Sequence, residues 1–125
     1  MASTEDSSGS AFPTAFVSAA KGKPERDRKV VAVLQEANDW RAAHPEKSIA
    51  LAAKLLGADE AKVAADAEHV KTMTTAELVA GTKDGTVDKW LDGMSRFFVR
   101  TGQLQKSPAV STFYAGDLYT KAAAR

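Results

Sequence analysis

The chain has 125 residues, 44% of them apolar and 26% charged, a length and balance that fit one modest globular unit at most. Seventeen basic against sixteen acidic side chains leave a formal charge of +1, which argues against the concentrated basic stripe of a nucleic-acid footprint. Without cysteine there is no disulfide, thiolate metal site or cysteine nucleophile, and no apolar run approaches the roughly 18 residues that insert across a bilayer.

The first ten residues, MASTEDSSGS, have neither the basic start nor the apolar stretch of a secretory signal and read as a disordered tail. If they are the true start, the chain is expected in the cytoplasm. Residues 11–20, AFPTAFVSAA, have strand character through Phe12, Phe16 and Val17, while Pro13 confines any pairing to an edge. One short strand is therefore expected near residues 13–18, and a lone strand implies pairing groups elsewhere. The rest of residues 11–125 reads as a single, mainly α region of four to five helices.

KGKPERDRK at 21–29 is a solvated helix entrance with Pro24 early in the first turn. Val30, Val33, Leu34, Ala37 and Trp40 recur at helical spacing and predict one apolar face of a helix ending near Ala43, since Pro45 pushes His44 out of the helical region. Pro45 and Glu46 suit the first turn of a second helix, whose face is Ile49, Ala52, Ala53 and Leu56 and whose stop is Gly57. Asp59 can cap a short helix through Val63, Ala67 and Val70. Thr74 or Thr75 can cap a turn carrying Leu78 and Val79. GTKDG at 81–85 reads as a turn cluster. Val87, Trp90, Leu91, Met94, Phe97, Phe98 and Thr101 then follow the helical period to Gly102, with Leu104 folding back. After a loop at Pro108, a short helix is expected near Asp117 to Ala124. Phe113, Tyr114, Leu118 and Tyr119 there need a docking surface.

Site chemistry is sparse. His44 and His69 sit on separate predicted helices without metal-ligand spacing, and His44 suits a helix end. There is no GxSxG, and the GTKDGT stretch lacks the phosphate-loop pattern. Glu36, Asp39 and Glu46 are expected on solvated faces, so no acid–base pair stands out and neither enzyme activity, metal nor cofactor is expected. Trp40, Trp90, Phe97 and Phe98 are assigned to the core. Thr72, Thr74 and Thr75, around Met73, offer hydroxyls and amides that suit either helix capping or the orientation of a small oxyanion.

From about Phe12 to its end the chain resembles the carboxy-terminal part of the solute-binding proteins of nitrate/sulfonate/taurine-type ABC transporters. The resemblance rests on TAFVSA, VVAVLQEANDW, HPEKSIALAAKLLG with Trp40, Pro45, Glu46 and Gly57 at the family's spacing, FFVRTGQL with Gly102 and Leu104, and SPAVSTFYAGDLYTKA. It implies the closing portion of a two-lobed α/β periplasmic receptor that captures a small anionic or sulfonated solute for a membrane permease. Against that family's pattern, the chain is expected to represent a portion without the signal, the first lobe and nearly all pocket-forming segments. The alternative reading is a small helical protein–protein interaction module that holds a partner on an exposed apolar face.

Overall fold

In the computed structural model, which describes residues 23–124, Pro24 opens a long helix, α1 (Pro24–Ala43), at a position where its missing amide hydrogen costs no helical bond. Pro45 does the same for α2 (Pro45–Leu56). His44, between them, leaves the helical region at φ −133° and ψ 62°, the shift that a following proline imposes. Gly57 turns the chain at φ 63°, and the Ala58 amide then reaches back to the Ala53 carbonyl at 3.0 Å, closing α2 as glycine-stopped helices do. Asp59 caps α3 (Glu60–Ala67), its carboxylate accepting from the Ala61 and Lys62 amides at 2.9 and 3.2 Å.

The chain continues through α4 (Thr75–Lys83), α5 (Thr86–Arg100), a 3₁₀ turn (Val110–Thr112) and α6 (Gly116–Ala123). Beyond α5 the Leu104 amide donates to the Phe98 carbonyl at 3.0 Å, so the fold-back expected at Gly102 is present. α1 lies against α6, α4 and α2, while α4 also meets α5 and α6. Val87, Leu91 and Ser95 of α5 are buried, with Trp90, Met94, Phe97 and Phe98 half-buried. The stripe expected on that helix is thus its inner face, except for the exposed Thr101.

The described residues hold six α-helices rather than four to five. The additional one is α4, which runs through Gly81, Thr82 and Lys83, so the turn expected at 81–85 contracts to its last two residues. Two causes are visible. A capping box between Thr74 and Glu77 starts the helix firmly. At Gly81, a Cβ would lie 3.2 Å from Val87 Cγ2, so this glycine serves the close approach of α5 instead of a turn. No strand occurs among the described residues. The strand expected near 13–18 and the tail expected at 1–10 lie outside them.

A larger correction concerns the rotation of α1. Its expected inward face is its outward one: Val30, Val33, Leu34 and Trp40 are 41%, 64%, 39% and 42% exposed, and Ala37 is exposed as well. The residues turned inward are Val31, Gln35, Asn38 and Ala42, offset by one position, or about 100° around the helix axis. On α2, Ile49, Ala52 and Ala53 face inward as expected, but Leu56 is exposed together with Leu51 and Leu55. The assignment of Trp40 to the core is likewise overturned.

α6 is fitted closely to α4. At Gly116 a Cβ would meet Thr82 Cγ2 at 2.9 Å and Tyr114 Cε1 at 3.1 Å. Gly116→Ala is expected to destabilise the protein by about 1–3 kcal/mol through overpacking, read as a lowered urea midpoint. An unchanged midpoint would show that α6 does not dock in this way.

Candidate functional site

A small set of polar residues converges where α1 meets α4 and α6. Gln35, Asn38 and Asp39 occupy one face of α1 at steps of three and four, the spacing that aligns side chains along a helix. Each grips a backbone group far away in sequence. Gln35 Nε2 donates to the Tyr119 carbonyl at 2.9 Å, Asn38 Nδ2 donates to the Met73 carbonyl at 2.6 Å, and Asp39 Oδ1 accepts from the Thr75 amide at 2.6 Å. The Thr75 hydroxyl returns a bond to the Gln35 carbonyl at 3.3 Å. Gln35 is 2% exposed, and its Oε1 has no hydrogen-bond partner among the described residues.

The three threonines nominated from the sequence lie at this junction, on the approach to α4 and its first turn. Thr74 is the cap: its hydroxyl accepts from the Glu77 amide at 3.3 Å, and the Glu77 carboxylate accepts from the Thr74 amide at 2.7 Å. Thr75 is buried, its amide held by Asp39 and its hydroxyl by Gln35. Thr72 is half-buried two residues before the cap. The amino-terminal end of α4, where an oxyanion would be favoured by the helix dipole, therefore already receives two carboxylates of the chain, Asp39 and Glu77.

Asp39 is exposed, as the sequence reading expected, but that reading gave neither the bond its carboxylate accepts from Thr75 nor the roles of Gln35 and Asn38. The signal that could have found them is their shared i, i+3, i+4 spacing. Hydrogen bonds from Thr74, the backbone amide first and the side chain second, hold the Glu77 carboxyl below its ordinary value of 4.5. Burial pushes the Tyr119 hydroxyl above its ordinary value of 10.0, against the opposing pull of the Thr75 and Gln35 side chains.

A second hydroxyl pair closes the other side of α4. The Thr82 hydroxyl donates to the Leu78 carbonyl at 2.7 Å. Its single proton is thereby spent, so the Tyr114 hydroxyl, 2.7 Å away, is the donor of the Tyr114–Thr82 bond. His44 stacks on Trp40 with ring centroids 4.8 Å apart, and its Nδ1 lies 2.9 Å from the Trp40 carbonyl, a helix-end arrangement. No group of three or more His, Asp and Glu side chains converges to hold a metal among the described residues. No described helix is long and apolar enough to cross a membrane.

Three bacterial proteins, from Brucella abortus strain 2308, Brucella suis biovar 1 strain 1330 and Brucella melitensis biotype 1 strain 16M, are similar to this chain. Each is named a "Putative binding protein", and each is 38% identical to it over 112 residues, covering 87% of this chain and 35% of the relative. The chain thus spans about a third of the length of the curated relatives it matches. No protein-family model matches it, and no solved structure does.

Removing the Asp39 carboxylate by Asp39→Ala leaves the Thr75 amide without its partner. The expected cost is about 1–3 kcal/mol, the range for an orphaned buried donor, measured as a shift in the urea midpoint. The Glu77 carboxyl titrates lower in the folded chain than in the unfolded one, so its stabilisation is complete above 4.5 and is lost as pH falls through the folded value. Below pH 4.5 the wild-type urea midpoint should therefore fall more steeply than that of Glu77→Gln. Parallel curves would show that the capping box does not carry the acid sensitivity.

Proposed function

We propose that this chain is part of a solute-binding protein that captures a small anionic or sulfonated solute in the periplasm and delivers it to an ABC permease. The observation that carries the reading is the 38% identity over 112 residues to Brucella proteins whose printed name is that of binding proteins, and not of enzymes. The resemblance of VVAVLQEANDW, HPEKSIALAAKLLG and SPAVSTFYAGDLYTKA to the nitrate/sulfonate/taurine receptors supports the solute class.

Thr74 and Thr75 hold the α4 entrance through their own hydrogen bonds, and in this reading Thr72, half-buried two residues before the cap, is the threonine proposed to contact the solute. Two carboxylates at that helix end disfavour an anion near this chain alone, so the pocket is completed by segments that the chain does not contain. A second reading, a helical interaction module, draws on the exposed faces of α1 and α2.

Isothermal titration of the chain with nitrate, taurine and methanesulfonate is expected to give no strong binding. Titration of the intact Brucella abortus relative with the same compounds is expected to give saturable binding of at least one. Micromolar binding by the chain alone would overturn the shared pocket. Silence from the intact relative would overturn the solute class.

A further inference from the structure

The distribution of apolar side chains is inverted for a self-contained protein. Among the described residues, ten large hydrophobic side chains are exposed, whereas the buried apolar residues are two alanines, Val87 and Leu91. Scattered surface leucines need no explanation. Here, however, Val30, Val33, Leu34 and Trp40 recur along a single stripe of α1, and Leu51 and Leu55 stand one turn apart on α2, at 58% and 87% exposure.

The polar anchors of α1 fix this orientation. Turning the stripe inward would break the bonds of Gln35, Asn38 and Asp39 to the Tyr119, Met73 and Thr75 backbones. The outward stripe is therefore a property of the folded chain and not an alternative packing of its own core.

We infer that the outer faces of α1 and α2 form an internal interface. In a protein of the relatives' length they seat the part of the receptor that lies outside this chain, and the inference rests on the solute-binding-protein reading. Length identifies the occupant: nearly two thirds of each relative lies beyond the matched region. The character of the face agrees. α1 carries four acidic and four basic side chains, without the cationic rim that draws a helix to anionic lipid. A stripe with a tryptophan at one end is the composition of a packed protein interface. Further exposed apolar residues at Val70, Leu104 and Phe113 lie on other elements. A neighbouring lobe of the same chain can wrap several elements, whereas a twofold contact with a second copy uses one self-complementary patch.

Carbene footprinting of this chain and of the intact Brucella abortus relative tests the inference. Val33, Leu34, Leu51 and Leu55 should label heavily in the chain, and the aligned positions of the relative should label severalfold less. Val33→Glu with Leu55→Glu in the chain should leave its helical circular dichroism and melting unchanged, because those two side chains, 64% and 87% exposed, are the ones least covered within it. Equal labelling of the two proteins overturns the interface. So does protection in the isolated chain: with a doubled mass by light scattering the occupant is a second copy, and with a monomer mass the chain covers the face itself. The solute titrations are read separately. A relative that protects the face but binds no sulfonate sinks the solute class and leaves the interface standing, and the reverse result sinks the interface alone.

Discussion

Three side chains on one face of α1 decide how this protein is arranged. Gln35, Asn38 and Asp39 bind the Tyr119 carbonyl, the Met73 carbonyl and the Thr75 amide, which belong to α6, the loop before α4 and the first residue of α4. Each bond individually contributes about 1 kcal/mol net, but leaving one buried member unpaired costs more than making the bond gains. Rotation of α1 by a single residue position would orphan all three at once. The helix is therefore held by polar specificity, and its apolar stripe is left to follow.

This arrangement explains how α4 can exist. A nine-residue helix containing Gly81 and two threonines has modest intrinsic stability. It is pinned at its start by its own capping box and by Asp39, and along its length by α5 and α6. Glycine at 81 admits the close approach of Val87 on α5, and glycine at 116 admits Thr82 and Tyr114, whose hydroxyls are bonded to each other. The tail tyrosines dock here, half-buried, while Phe113 beside them remains 48% exposed. The aromatic tail is therefore only partly enclosed by the described chain.

Local chemistry was legible in the sequence, and long-range chemistry was not. Pro24, Pro45, Gly57, Asp59 and the Thr74 cap act on backbone groups within a few residues, so each marks its helix boundary in the residue string itself. The stripe on α5 was also readable, because there the apolar side is the inner side. On α1 the same periodicity was real but its direction was not encoded locally. The groups that set it are separated from Gln35, Asn38 and Asp39 by 84, 35 and 36 positions. The spacing of apolar residues tells which of them share a face and not what that face meets. Of the candidate site, the Thr74 cap was legible as capping chemistry. Gln35 and Asn38 were missed because their spacing marks a shared helix face but not the distant backbone groups that the face meets.

The two faces of α1 also bear on the division of labour between fold and function. Polar anchors on the inner side and an apolar stripe on the outer side reverse the usual order only if solvent is taken as the partner of that stripe. With packed protein as that partner, the stripe is ordinary core and the polar triad becomes a registry device. It selects one orientation of α1 against α4 and α6, and so presents the stripe on the outside at a fixed angle. Gln35 is consistent with this role: its amide nitrogen is bonded while its oxygen stays buried and unpartnered among the described residues, a cost that a purely stabilising core residue such as leucine would avoid. What the residue supplies is direction, and the orientation of α1 is the feature on which any surface built from α1 depends.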